Sequence, residues 1–95
     1  MKSRKKTILV VLGGSPKERT VSLASGRACI QAIKRLGYKV KTYDPGRDSW
    51  NKIEKYKIDI IFNALHGKGG EDGEIQSFFE ILRIPYTHSG PVSSY

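Results

Sequence analysis

Two nearly continuous apolar runs constrain the fold of this chain more than any other feature. Residues 7–12 and 58–65 are rich in β-branched side chains, and each run has the length of a strand. Uninterrupted apolar runs of this length are typical of strands that are covered on both faces, as in a parallel sheet. A stretch of helical spacing separates the two runs, so the sequence predicts β–α–β units.

The segment between the two runs predicts one amphipathic helix and one edge strand. Apolar residues recur at spacings of three and four from Val21 to Leu36, with Thr20 or Ser22 as the candidate N-cap and Gly37 as the stop. Residues 38–43 alternate with period two and predict a half-exposed strand. The predicted apolar face of the helix comprises Val21, Ala24, Ala28, Cys29, Ala32, Ile33 and Leu36.

The rest of the chain completes the predicted architecture. A short helical turn is expected over residues 49–56, a second helix from about Ile75 to Leu82, and a last short strand over residues 84–87. We therefore predict an α/β fold with a mainly parallel sheet of about four strands and helices on both faces. Residues 1–6 form a basic N-terminal tail, and residues 7–95 form the one domain that this length allows.

Charge and cysteine content exclude several classes of protein. The net charge is +8, but four basic residues fall in the first six positions and no aromatic residues interleave with the others. This distribution favours a basic tail and solvated helix faces over a nucleic-acid or membrane surface. A single cysteine, Cys29, excludes an internal disulfide and a multi-cysteine zinc site, and no apolar run is long enough for a membrane span. We expect a cytoplasmic protein.

Both glycine-rich loops follow predicted strands at their carboxyl ends, where parallel α/β sheets bind ligands. The sequence therefore predicts one site, lined by residues 13–22 and 66–73. The second loop lacks the last glycine of the dinucleotide fingerprint, and Phe62 stands where a Walker A loop needs its first glycine. Neither standard phosphate loop is present, although anion binding at the following helix N-termini is physically possible.

Two side chains in these loops have both a structural and a functional interpretation. Glu18 precedes a helix N-terminus, where the helix dipole favours a carboxylate, but it could equally hold a ligand ammonium group. His66 could be a hydrogen-bonding residue at the end of a strand or a ligand contact. Glu71 and Asp72 are most simply explained as a helix cap, and Cys29 as core packing.

Three motifs in the right order resemble the D-alanine–D-alanine ligase family. Residues 18–26 resemble its E-R-x-V-S-L-x-S-G segment, and residues 66–77 match its signature H-G-x-x-G-E-D-G-x-[aliphatic]-Q-[small] at every position. Residues 85–90 resemble the P-Y-T-G-S-G that follows, except that His88 replaces a glycine. Pro91 also departs from the aliphatic residue that is usual there. The resemblance runs from Thr7 onward and covers only the first part of such an enzyme.

The resemblance implies a Rossmann-like, pre-ATP-grasp domain on the substrate side of a ligase. The complete enzyme would phosphorylate one D-alanine with ATP and magnesium, and a second D-alanine would attack the acyl phosphate to give a dipeptide for peptidoglycan. ATP and magnesium would be bound by ATP-grasp domains of the same protein, which this chain lacks. The chain alone would hold no cofactor or metal and would be inactive, and a homodimer is possible.

The resemblance also implies roles for individual residues. Glu18 would be the catalytic glutamate that anchors the ammonium group of the first D-alanine, and His66, Val21 and Ser22 would line the same subsite. The loop and its supporting contacts would come from Gly67, Gly70, Glu71 and Gly73, with Glu71 orienting His66. The alternative is a non-catalytic module that binds a small anion or an amino acid at the same glycine-rich edge.

Overall fold

A computed structural model of the chain describes residues 5–54, 57–65 and 80–87. The described elements are, in chain order, strand β1 (Thr7–Val11), helix α1 (Arg19–Arg35), strand β2 (Lys39–Tyr43), a 3₁₀ turn (Trp50–Lys52) and strand β3 (Ile60–Asn63). This alternation confirms the predicted α/β class. It also confirms the two buried runs as strands, whose ends differ from the predicted ones by at most two residues. The short helical turn between them is confirmed over Trp50–Lys52 only, within the predicted residues 49–56.

The three strands form a parallel sheet with β1 in the middle, in the order β2-β1-β3. Thr7 is in register with Lys39 on one side, and Ile8 is in register with Ile60 on the other. Strand β2 is an edge strand of this sheet and most of its residues are exposed, as its alternating sequence predicts. Because all three strands run in the same direction, their carboxyl ends lie at one edge of the sheet.

The strand count differs from the prediction: the described residues form three strands instead of about four. Where the last strand is expected, only Tyr86 pairs with Ile61, and the backbone hydrogen bonds are limited to Ile61 N–H to Pro85 O (2.8 Å) and Thr87 N–H to Ile61 O (3.0 Å). Pro85 has no N–H to donate to a ladder, and Arg83 has a positive φ of 59°, which no strand residue adopts. These two residues limit the pairing to a single bridge.

Apolar side chains fill both faces of the sheet. Helix α1 covers one face, where Val10, Leu12, Ala64 and Ile33 are buried and Leu23, Cys29 and Ile30 pack against them. The opposite face is covered by the segment after the 3₁₀ turn and by residues 82–86. Its buried members are Leu9, Val11, Tyr43, Ile58, Ile61, Leu65 and Ile84. The predicted helix from Ile75 to Leu82 lies mostly outside the described residues. Its last three residues, 80–82, are described and are helical.

The buried face of α1 is rotated from the predicted one. Val21 is 54% exposed and Leu36 is 73% exposed, whereas the buried residues are Ser22, Gly26 and Ile33. The prediction followed hydrophobicity alone: it was right for Ile33 and for Cys29, which packs against the core, and wrong for Val21 and Leu36. The face is decided by close contacts with the sheet: Gly26 lies against Leu12, and the Ser22 hydroxyl bonds to Gly13 and Ala64 at the strand ends. The N-cap is Glu18, so the predicted Thr20 or Ser22 cap was also wrong.

The predicted end of α1 is confirmed. Gly37 has a positive φ of 97°, and the N–H groups of Gly37 and Tyr38 donate to the carbonyl oxygens of Lys34 (2.9 Å) and Ile33 (3.4 Å). This pair of bonds is a Schellman motif, which needs the left-handed conformation that glycine adopts without strain. Among the described residues, no helix is long and apolar enough to cross a membrane.

Gly26 of α1 lies close to Leu12 at the end of β1, and a substitution there gives a testable prediction. A Cβ atom at Gly26 would lie 2.6 Å from Leu12 Cδ1 and 2.7 Å from Leu12 Cβ. Helix propensity alone would make Gly26→Ala stabilising by about 0.5–1 kcal/mol. We expect the opposite sign, a loss of about 1–3 kcal/mol from overpacking, measured by urea denaturation. A more stable variant would mean that the helix sits further from β1 than described here.

Candidate functional site

The loops that follow the three strands meet at the carboxyl edge of the sheet. The loop after β1 carries Glu18, the turn after β2 begins with Asp44, and the chain after β3 runs through Ala64 and Leu65 toward His66. Hydrogen bonds connect all three segments, as described below. The structure thus brings the loop of residues 13–22 to the edge at which the sequence predicts a ligand site.

Glu18 is the N-cap residue of α1, but its side chain does not cap the helix. Its backbone is non-helical (φ −106°, ψ 1°), and its carboxylate makes no capping hydrogen bond to the helix. The Glu18 carbonyl oxygen accepts the Ser22 N–H at 3.0 Å, which begins the helix. The side chain is half-buried, and within residues 5–54, 57–65 and 80–87 it has no ion pair or hydrogen bond. A carboxylate with this freedom can accept hydrogen bonds from a ligand.

The Asp44 carboxylate, at the carboxyl end of β2, accepts four hydrogen bonds. Its Oδ1 atom accepts the N–H groups of Gly14 (3.2 Å) and Gly46 (2.9 Å) and the Arg19 Nη1 (3.0 Å), and its Oδ2 atom accepts the Arg19 Nη2 at 2.6 Å. The carboxylate is buried, with a side-chain exposure of 10%. Asp44 therefore ties the loop after β1, at both Gly14 and Arg19, to the turn after β2.

The hydrogen bonds decide the protonation state of Asp44. Burial by itself raises the pKa of this carboxyl, but the hydrogen bonds from Arg19, Gly14 and Gly46 outweigh it and hold the pKa of Asp44 below its ordinary value. The same hydrogen bond to Asp44 raises the pKa of the Arg19 guanidinium. Both groups are therefore charged at neutral pH, and each is the main electrostatic partner of the other.

Ser22 joins the ends of β1 and β3. Its side chain is fully buried, its Oγ atom accepts the Gly13 N–H at 2.9 Å, and its hydroxyl donates to the Ala64 carbonyl oxygen at 2.7 Å. The first turn of α1, which begins beside Glu18, is thus fixed to both neighbouring strands. A direct contact of Ser22 with a ligand stays a prediction, whereas Val21 next to it is exposed.

The two glycines after β1 are not arranged as an anion site. Both have positive φ angles, 89° at Gly13 and 79° at Gly14, and a Cβ atom at Gly13 would lie 2.5 Å from Asp44 Oδ1. Their N–H groups donate to Ser22 and Asp44, so neither is available to a ligand. A buried carboxylate beside them would also repel an anion. These glycines allow Asp44 to approach the loop, which the sequence did not indicate.

The Asn63 side chain forms a turn at the end of β3, directly before the second glycine-rich loop. It is 4% exposed, and its Oδ1 atom accepts the Leu65 N–H at 3.1 Å, which forms an Asx turn directly before His66. Its backbone N–H donates to Thr87 Oγ1 at 2.9 Å, while its buried Nδ2 atom has no hydrogen-bond partner in the part of the chain described here. An unpaired buried amide of this kind needs an acceptor from elsewhere.

The predicted residues of the second loop lie outside the described residues. These are His66, Gly67, Gly70, Glu71 and Gly73. Asp44 and Asn63 were not among the residues that the sequence predicted for the site. A signal for both was present, since each is a polar residue at the carboxyl end of a strand that the sequence did predict.

Comparison with known proteins identifies the family. A family model described as "D-ala D-ala ligase N-terminus" matches residues 41–89, which is just over half of the chain. This chain belongs to that family. The match ends beyond the second glycine-rich loop and starts within β2, so it is independent of the motif around Glu18.

Curated relatives extend the match to nearly the whole chain. A D-alanine–D-alanine ligase of Parvibaculum lavamentivorans is 51% identical over 92 residues, which cover 97% of this chain and 30% of the relative. A D-alanine–D-alanine ligase of Caulobacter vibrioides is 53% identical over 87 residues, which cover 92% of this chain and 27% of the relative. This chain therefore spans about 30% of the length of these relatives.

Solved structures share its fold. A D-alanine–D-alanine ligase from Bacillus anthracis complexed with ATP superposes with a TM-score of 0.75 at 37% identity, covering 90% of this chain and 28% of that one. A D-alanyl-alanine synthetase A from Vibrio cholerae has a TM-score of 0.76 at 28% identity, covering 95% and 33%. In that structure the Bacillus anthracis protein has ATP bound.

The described residues of this family member do not fit a nucleotide. The backbone N–H groups of Gly13 and Gly14 already donate hydrogen bonds to Ser22 and Asp44. The buried charge beside these glycines is the Asp44 carboxylate, which repels phosphate groups. Among residues 5–54, 57–65 and 80–87 there is also no group of three His, Cys, Asp or Glu side chains that could hold a metal ion. We therefore assign no step at this edge to ATP or to a metal.

Proposed function

We propose that this chain is the N-terminal, substrate-side part of an ATP-dependent D-alanine–D-alanine ligase. Such an enzyme joins two D-alanines through an acyl phosphate in the cytoplasm and so serves peptidoglycan synthesis. The observation that carries the proposal is the Glu18 carboxylate at the carboxyl edge of the sheet, which has no partner among the described residues, in a chain of this family. In a protein with a net charge of +8, a half-buried carboxylate without a described cationic partner is an unusual feature.

Glu18 accepts the ammonium group of the first D-alanine in this proposal. Charge-assisted hydrogen bonds between a fixed carboxylate and an ammonium group give both affinity and orientation, which bring the substrate carboxylate to a defined place. Val21, which is exposed beside Glu18, and His66 line the same subsite. Ser22 supports it by holding the first turn of α1, and residues 67–73 shape the loop that follows His66.

The remaining chemistry belongs to segments beyond the matched 30% of the relatives. ATP activates the substrate carboxylate as an acyl phosphate, and Mg²⁺ accompanies the nucleotide. A site of this kind needs converging charges in a closed, water-poor cleft, and the edge described here supplies only one wall of it. We therefore expect the isolated 95-residue chain to show no D-alanine-dependent ATP hydrolysis.

A chimera tests this proposal directly. The chain replaces the matched 92 residues of the Parvibaculum lavamentivorans ligase, and D-Ala–D-Ala formation is followed by chromatography together with phosphate release. We expect dipeptide synthesis at a rate within about tenfold of that of the unaltered relative, since a tenfold change corresponds to only about 1.4 kcal/mol of misalignment between the two parts.

The control is the same relative without its matched segment, which should bind ATP but form no dipeptide. A chimera that binds ATP as the relative does and yet forms no dipeptide at saturating D-alanine would contradict the proposal. ATP binding shows that the remainder is folded, so that misfolding is not mistaken for a negative result.

A further inference from the structure

An arginine stands directly beside the carboxylate that the proposed function uses. Glu18 and Arg19 are neighbours at the start of α1. A free guanidinium in this place has two harmful effects. It can pair with Glu18, since Arg side chains are long and match carboxylates bidentately, and it repels the ammonium group of an amino acid that approaches.

In the structure the Arg19 guanidinium pairs with Asp44 instead of with Glu18. Both terminal nitrogens of its guanidinium bind the Asp44 carboxylate, at 3.0 Å and 2.6 Å, and Nη1 also reaches the Gly14 carbonyl oxygen at 3.5 Å. The Asp44 carboxylate is held in turn by the N–H groups of Gly14 and Gly46. A Cβ atom at Gly46 would collide with the Gly14 carbonyl oxygen, so the turn after β2 can approach this closely only with glycine.

We propose that Asp44 is a positioning residue for the ammonium subsite: it binds the Arg19 guanidinium and thereby leaves the Glu18 carboxylate free for an amino-acid ammonium group. This inference rests on the proposed function, since it assigns Asp44 a role in the binding that Glu18 performs. Asp44 does not touch the substrate. It acts by neutralising Arg19, the cation that follows Glu18 at the start of α1, whereas the preceding cation, Lys17, is exposed to solvent.

The test is a double-mutant comparison in the ligase chimera. Asp44→Asn keeps one oxygen for the N–H groups of Gly14 and Gly46 but turns an amide toward Arg19 and removes the charge. We expect it to raise the KM for D-alanine about tenfold, a change that corresponds to about one charge-assisted hydrogen bond. The KM for ATP should stay unchanged. Adding Arg19→Gln should then lower this KM again, to within about threefold of that of the chimera.

The direction of the second step separates the proposal from a purely structural role. If Asp44 only holds the shape of the loop, removing Arg19 as well deletes further contacts, and the double variant is no better than Asp44→Asn alone. That result overturns the proposal. It leaves the proposed function intact, which depends on whether the unmodified chimera forms dipeptide.

Asp48→Asn is the matched control. Asp48 lies on the same turn, and its Oδ2 atom accepts the Asp44 N–H (3.0 Å) and the Lys52 Nζ (3.1 Å), but it does not contact Arg19. We expect its KM for D-alanine to stay within about twofold of that of the chimera, because an exposed pair of this kind contributes little. An increase as large as that of Asp44→Asn would assign the effect to the stiffness of the turn and would overturn the proposal.

A second measurement uses the 95-residue chain itself and does not depend on ligase activity. The Arg19 side-chain N–H resonance is recorded by NMR with and without Glu18→Gln. In the wild-type chain we expect Glu18→Gln to leave the Arg19 resonance unchanged, because Arg19 is bound to Asp44. In the Asp44→Asn background we expect Glu18→Gln to shift the Arg19 resonance clearly, because Glu18 is then the adjacent carboxylate. Equal responses in both backgrounds would mean that Asp44 does not direct Arg19 away from Glu18.

Discussion

Glu18→Gln should lower kcat/KM for D-alanine in the ligase chimera by about 100-fold, the loss expected when a charge-assisted hydrogen bond to an ammonium group is replaced by a neutral one. Glutamine keeps the size of the side chain and one accepting oxygen, so the change removes charge and little else. The KM for ATP should stay the same. The measurement is the initial rate of dipeptide formation at varied D-alanine.

Stability distinguishes this role from the structural alternative. If the Glu18 carboxylate served the helix dipole, Glu18→Gln would cost about 0.3–1 kcal/mol of folding free energy with little effect on the reaction. Because the carboxylate makes no capping bond, we expect stability to be unchanged and the catalytic effect to be large. Glu54→Gln is the matched control: Glu54 is exposed and pairs with Lys57 at 3.4 Å, and its variant should be fully active.

Ser22→Ala is expected to have the largest effect on stability. It removes a fully buried hydroxyl and leaves the Gly13 N–H and the Ala64 carbonyl oxygen without partners. Each orphaned group costs about 1–3 kcal/mol, so we expect a total loss of about 2–6 kcal/mol for the two groups. For a domain of this size, each kcal/mol corresponds to a fall in Tm of about 4–8 °C. Thermal unfolding of the 95-residue chain, followed by circular dichroism, measures it.

The control for this prediction is Ser49→Ala. The Ser49 hydroxyl is exposed and bonds only to Asn51 Oδ1 at 2.7 Å in the described structure, so its loss should change stability by less than about 0.5 kcal/mol. If Ser22→Ala were equally mild, Ser22 would not be holding the two strand ends together. Its predicted contact with substrate would then be the better explanation for its place in the motif.

The sequence was sufficient for the parts of the fold that depend on hydrophobic period and turn chemistry. The apolar runs predicted β1 and β3, the alternation predicted the edge strand β2, and Gly37 predicted the end of α1. The position of Glu18 at the carboxyl edge also followed from the order of strand, loop and helix. These features are local, so a single stretch of sequence contains the information that determines them.

The remaining features depend on contacts between distant segments. Hydrophobicity placed Val21 and Leu36 on the buried face of α1, but a serine and a glycine occupy it because their small side chains let the helix meet Leu12 and two strand ends. Asp44 was not among the predicted site residues, because nothing near it in the sequence shows that Arg19 is its partner. The family resemblance suggested which residues act, but it did not reveal which residues hold them.

The central position of β1 affects how the chain can fold during synthesis. This strand leaves the ribosome before both of its partners, β2 from Lys39 and β3 only from Ile60. Until then its apolar residues have a free edge on at least one side, which is the condition under which strands pair with other chains. Contacts between such distant positions also slow folding. Helix α1, which is complete before either partner strand, is the first element that can shield β1.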